Sequence, residues 1–148
     1  MRCRYLIFLF CVISSSAAAG QAPAEDADGD IQYRQNVMRA LGGHTSAMAL
    51  IVTGEGGNER DLRVHADAVI GLAAMVPSLF PEGSDAGRTN ALLDIWLEPA
   101  RFRQRLTEFE RGVAGLGRNI ARGRREFAQA FQALAVACKG CHDRYKSQ

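Results

Sequence analysis

Near the end of the chain, Cys138-Lys139-Gly140-Cys141-His142 gathers two thiols and an imidazole within five residues. On a helix turning about 100° per residue, Cys138, Cys141 and His142 fall at about 0°, 300° and 40°, so one face presents all three. Two thiols so placed can form thioethers to the two vinyl groups of a haem while the imidazole reaches the iron, and C-x-x-C-H is the c-type haem attachment pattern. The small Gly140 leaves room where a porphyrin edge lies against the backbone. Two other chemistries fare worse. A structural zinc site needs four ligands, and outside this cluster His44 and His65 are the remaining soft donors once an N-terminal segment is set aside. A thioredoxin-like redox pair needs a βαβ setting, and the chain shows helical rather than alternating periodicity. The bland alternative is a chance match to the pentapeptide.

The elements that must position these groups are bounded by length and composition. With 148 residues, 47% apolar and 23% charged, the chain suffices for one packed domain. Residues 1–22 read as a secretory signal peptide, with basic Arg2 and Arg4, an apolar stretch from Tyr5 to Ile13, and small residues before the expected cut. That stretch is too short to cross a bilayer, and no later segment comes closer, so no membrane span is expected. Export then removes Cys3 and Cys11, leaving Cys138 and Cys141, which are too few and too close for a disulfide framework. Without Arg2 and Arg4, Lys+Arg falls from 18 to 16 against 16 Asp+Glu. A neutral mature chain gives no ground for nucleic-acid binding.

Residues 23–148 are predicted to form an all-α, antiparallel four-helix bundle. Pro23 to Gly29 reads as a mobile acidic leader. A first helix is expected after Asp30 as N-cap, running to about Val52 with Ile31, Met38, Thr45, Met48 and Val52 on its stripe. Asn58 is the expected cap of a second helix with the seam Leu62, Ala66, Val69, Ala73, Val76 and Phe80, and Pro77 signals a kink or an early stop. Pro81 to Leu97 reads as one long loop holding Trp96, the expected cover of the bundle end. Pro99 opens a third helix, whose seam runs Phe102, Leu106, Phe109, Val113, Leu116 and Ile120. Gly123 separates it from a fourth, from about Arg124 to Lys146, with Phe127, Phe131, Leu134 and Cys138 facing inward.

Taken together, Tyr33-Arg34-Gln35-Asn36-Val37-Met38, the Phe80-Pro81-Glu82-Gly83-Ser84 loop with Ile95-Trp96, and the terminal CKGCHDRYK resemble cytochrome c′ over nearly all of residues 30–147. The resemblance implies a periplasmic homodimer of four-helix bundles, one covalent haem c per chain, His142 as the proximal iron ligand and an apolar distal side. Residue by residue, Arg34 and Gln35 match the family's haem-contacting pair, Met38 the residue facing the distal side of the iron, and Thr89 and Asn90 the loop that touches the haem edge. Where the family commonly has an arginine shortly after the haem histidine, this chain has Lys146. A lysine cannot supply the planar guanidinium there.

Each such residue has a plainer reading. Arg34 either pairs with a haem propionate or lets its head snorkel to water. Met38 either packs on the distal side or ligates iron: low-spin members of the family use a methionine here, whereas the Tyr33-Arg34-Gln35 context and the loop resemble the high-spin members. His44, about 9 Å along the helix from Met38, is too distant for the same iron, and His65 reads as a surface or subunit-contact residue. Gly42-Gly43 in mid-helix suits either close approach of a partner helix or simple local weakness. The arginines from Arg101 to Arg125 interleave with Glu108, Glu110 and Glu126 and read as a solvated face. The function expected is a haem protein that carries single electrons to and from periplasmic redox partners and binds NO or CO, not an enzyme. The alternatives are a low-spin His142/Met38 carrier and a peroxidase-like enzyme, and the latter lacks a distal acid–base histidine.

Overall fold

The computed structural model describes residues 24–147, so the expected signal peptide at 1–22 lies outside the described residues. The chain folds into α1 (Ala24–Thr53), a 3-10 turn (Glu59–Asp61), α2 (Leu62–Ala73), a second 3-10 turn (Val76–Ser78), the short α3 (Asp94–Leu97), α4 (Pro99–Asn119) and α5 (Arg124–Tyr145). The long helices close a ring in which α1 packs on α2, α2 on α4, α4 on α5 and α5 on α1. This is the antiparallel four-helix bundle the periodicity predicts. Among the described residues there is no strand, only an isolated bridge between Ala91 and Lys146.

The helix ends follow local chemistry. Beyond Thr53 the chain turns through Gly54 at φ 81°, a left-handed conformation cheap only for glycine. The carbonyls of Ile51 and Val52 at that end accept hydrogen bonds from the Arg124 guanidinium at 3.3 and 3.2 Å, which ties the start of α5 to the end of α1. Asn58 caps as expected, its side chain accepting from Arg60 N at 3.1 Å, but it caps the 3-10 turn that leads into α2. Pro77 sits in the second 3-10 turn, past the end of α2 at Ala73, in line with the expected early stop. Pro99 opens α4.

Three expectations need correction. The segment expected as a mobile leader is helical from Ala24, so Asp30 lies inside α1 rather than capping it. The long loop carries the four-residue helix α3. The buried stripe of α1 is Ile31, Arg34, Val37, Leu41, Met48 and Ile51. Met38, Thr45 and Val52, expected on it, are half-buried, with Val37 and Ile51 buried beside Met38 and Val52. The reason is that α1 faces two things: Val37 and Ile51 enter the packed core, while Met38, Gly42 and Thr45 line a cavity.

The other predicted seam residues lie in the core or pack against it, but Leu79 is enclosed where Phe80 was expected, and Phe80 is half-buried against the core. Met48, Val69, Leu116, Phe127 and Leu134 are almost wholly enclosed, each worth roughly 1.5–3 kcal/mol of transfer free energy. At one end a second cluster forms around Ile95, Phe102 and Tyr145, with Phe80 and Trp96 against it. Phe80, Phe102 and Tyr145 stack edge to face with centroids 4.9 and 5.2 Å apart, and Trp96 covers this end as expected. The C-terminus closes the same end, where Leu92 N donates to Tyr145 O and Ser147 N to Asn90 O, both at 2.9 Å.

Candidate haem site

The last turns of α5 bring Cys138, Cys141 and His142 to one cavity, as the helical spacing requires. Its other walls are Met38, Leu41, Gly42 and Thr45 of α1, Val69 of α2, Val76 of the second 3-10 turn, Arg105, Leu106 and Phe109 of α4, and Leu134 of α5. The surface is overwhelmingly apolar, so a ligand held here is withdrawn from water. The cavity volume is about 110 Å³.

The electrostatics of the three donors distinguish between chemistries. Burial pushes the Cys138 thiol up, and burial together with the neighbouring Cys138 pushes Cys141 up to about 11. Both are free thiols that stay protonated at neutral pH. That is the reverse of a thioredoxin-type pair, whose attacking sulfur is a stabilised thiolate. His142 is shifted down, first by burial and then by the Lys146 ammonium, so its imidazole is neutral and has a lone pair to offer. Lys146, standing where the family commonly has arginine, also ends α5 by donating its backbone N–H to His142 O at 3.1 Å. Two neutral thiols and a neutral imidazole on one wall of an apolar cavity suit a haem c.

Arg34 has neither a free head nor a solvated one. It is 3% exposed, which excludes snorkelling. Nη1 donates to Leu79 O at 3.1 Å and Ser84 Oγ at 2.7 Å, and Nη2 donates to Ser84 O at 2.8 Å and Thr89 Oγ1 at 2.9 Å. The guanidinium lies over the rings of Phe80 and Trp96, 5.2 and 5.7 Å from their centroids. Its partners are therefore the loop that follows α2, and four of its five N–H groups are committed there. Gln35 does the same one residue on, its Nε2 donating to Arg88 O at 2.7 Å. Thr89 Oγ1 passes the connection along by accepting from Ala91 N at 3.0 Å, and the Asn90 carbonyl takes the C-terminal Ser147. The residues singled out on α1 and in the loop are thus joined to one another, and Met38 reaches the cavity of Cys138, Cys141 and His142.

Two features escaped the sequence reading. Arg105, taken for part of a solvated face, is half-buried at the cavity and bonded to Glu108 Oε2 at 2.8 Å. Its spacing between Phe102 and Phe109, three and four residues away, would have placed it on the seam. His44 and His65, read separately, meet each other across α1 and α2. No single-helix pattern signals that meeting.

The family described as Cytochrome C' matches residues 30–146. Cytochrome c' of Pararhodospirillum photometricum is 26% identical over 118 residues, covering 78% of this chain and 94% of that one. Among solved structures, cytochrome c prime from Shewanella frigidimarina superposes with a TM-score of 0.79 at 30% identity, covering 85% of this chain and all of that one. A nitric oxide complex of a cytochrome c prime variant from Alcaligenes xylosoxidans shares the fold, with a TM-score of 0.75 at 23% identity and coverage of 82% and 97%. With the bundle, the donor face on α5 and a family match spanning both, this chain belongs to the cytochrome c′ family.

Proposed function

We propose that the protein is a periplasmic electron carrier with one covalent haem c, whose iron also takes up NO or CO. The observation that carries this reading is the shared cavity of Cys138, Cys141 and His142, walled on its other sides mostly by apolar side chains, Met38 among them. When bound, the haem supplies a one-electron redox centre with an open coordination position. Cys138 and Cys141 anchor it as thioethers, and His142 offers its neutral imidazole to the metal. Leu41, Val69, Leu106 and Phe109 exclude water and anions and leave small neutral gases as the favoured visitors. Met38 would serve as a packing residue of the haem cavity rather than as a metal ligand. Arg34, Gln35, Thr89 and Asn90 act toward the haem edge through the loop they hold together. The nitric oxide complex of the Alcaligenes xylosoxidans relative supports the gas reading. The test is intact mass after acid–acetone extraction, followed by ferrous spectra with and without NO. One retained haem per chain and a high-spin ferrous spectrum that NO converts support the proposal, and a haem-free mass overturns it.

A low-spin carrier in which His142 and Met38 would both hold the iron is the second reading, favoured by the Met38 thioether lining the same cavity as His142. We also propose a homodimer through α1 and α2. At Gly42, Gly43 and Gly71 no atom stands within 4 Å of where a Cβ would project, and Leu50 and Val64 are exposed nearby in sequence, so a second copy could approach closely. Sedimentation velocity of the haem-loaded protein should give a dimer, and a monomer at high concentration refutes it.

A further inference from the structure

Away from the haem cavity, a second pair of metal-competent donors converges. His44 of α1 and His65 of α2 face each other with Nδ1 2.9 Å from Nδ1, their ring centroids 5.2 Å apart and their planes inclined by 56°. The two nitrogens belong to different helices and stand within hydrogen-bond distance, with donor and acceptor set by the ring tautomers. We propose that these two imidazoles form a bidentate site for a late divalent transition metal ion, copper(II) foremost, which staples α1 to α2. The inference does not rest on the haem reading, because neither histidine lines that cavity.

The geometry favours copper. With metal–nitrogen bonds of about 2.0 Å, a separation of 2.9 Å subtends about 90° at the metal. That is the cis angle of a tetragonal copper or nickel centre, whereas a tetrahedral zinc would need the nitrogens about 3.3 Å apart. The ordinary order of affinities also places copper first. The backbone is already set, since Leu41 and Met48 flank His44 in the core, and Leu62 and Val69 flank His65. Both rings are half-buried, which leaves the remaining coordination positions to water. Within one turn of His44 there is no charged residue, and within one turn of His65 stand Asp61, Asp67 and Arg63, the last paired with Asp67 at 2.8 Å, so the local balance does not oppose a cation. Loading the neutral pair balances internally: the Nδ1 proton of the donor ring moves to Nε2 of that ring, both Nδ1 lone pairs become free, and no net proton is released.

The test uses the full haem-loaded chain titrated with copper(II) chloride in a weakly coordinating buffer, read by calorimetry and electron paramagnetic resonance. The expected result is one copper per chain with a tetragonal signal split by two nitrogens. The thermal midpoint should rise with copper, because a metal bound to the folded state stabilises it by mass action. His44→Gln and His65→Gln should each weaken binding more than about tenfold and abolish the rise, with zinc weaker than copper for the native chain. Unaltered helical circular dichroism and haem spectra identify the variants that fold. If His44→Gln proves unstable, His65→Gln carries the same comparison from the other helix. Copper binding undiminished in the double variant, or a native signal lacking two-nitrogen splitting, overturns the proposal.

Discussion

Replacing Arg34 with alanine removes the centre of the network between α1 and the following loop. Four hydrogen bonds are lost, but they are not equivalent. Ser84 Oγ retains Pro81 O as a partner at 2.9 Å, and Thr89 Oγ1 retains Ala91 N. The carbonyls of Leu79 and Ser84 lose their charged donor. A buried acceptor left without a partner costs about 1–3 kcal/mol, and the stacking on Phe80 and Trp96 adds about 0.5–2 kcal/mol. Against this stands the recovered desolvation of the guanidinium, the same burial that shifts its pKa down. A net loss of about 3 kcal/mol follows, or roughly 10 °C in melting temperature for a domain of this size. The assay is thermal unfolding of the haem-loaded protein at neutral pH, combined with amide hydrogen exchange. Exchange should accelerate for Ala91 and Leu92, whose amides depend on the loop's position, while the α4–α5 amides around Leu116 and Leu134 stay protected. Arg34→Lys should fall between, since an ammonium cannot make the forked contacts. A melting temperature within about 2 °C of the native protein, or a uniform rise in exchange, would refute the assignment of Arg34 as the loop's anchor.

The other expectations concern helix packing, pH and the cavity. A Cβ at Gly112 would stand 3.0 Å from Leu134 Cα, so Gly112→Ala should push α4 from α5 and cost about 1–3 kcal/mol in denaturant unfolding, whereas Gly56→Ala, at an open position, should be nearly silent. Glu98 at the start of α4 accepts from Arg144 near the end of α5 at 2.8 and 2.9 Å, and this partner holds its carboxyl below the usual range. A depressed carboxyl stabilises the fold above its unfolded pKa and loses that contribution as pH falls through the folded value. The melting-temperature difference between native protein and Glu98→Gln should therefore be largest near neutral pH and vanish in acid. Met38→Ala should enlarge the cavity and strengthen CO binding, measured by optical titration of the ferrous protein. A sharp low-spin native spectrum that this substitution makes high-spin would instead identify Met38 as an iron ligand.

The sequence by itself determined the donor face and the bundle. Cys138, Cys141 and His142 share an arc because a helix turns about 100° per residue, whatever surrounds it. The seam of α4 is equally local, for Phe102, Val113 and Leu116 repeat at spacings that only one face of a helix can satisfy. The tertiary structure decided everything that depends on which helix lies opposite. A stripe on α1 could centre on Val37 or Met38, and the choice was made by a core on one side and a cavity on the other. Arg34 read as a charge in need of a counter-anion, yet its partners are carbonyls and hydroxyls 45 to 55 residues away, and a neutral acceptor leaves no signature in a charge pattern. The meeting of His44 and His65 is likewise a product of how α1 crosses α2, because a separation of 21 residues becomes 2.9 Å only when two helices pack in register. Periodicity is a property of one element and survives in its sequence, whereas register between elements exists only once they are packed.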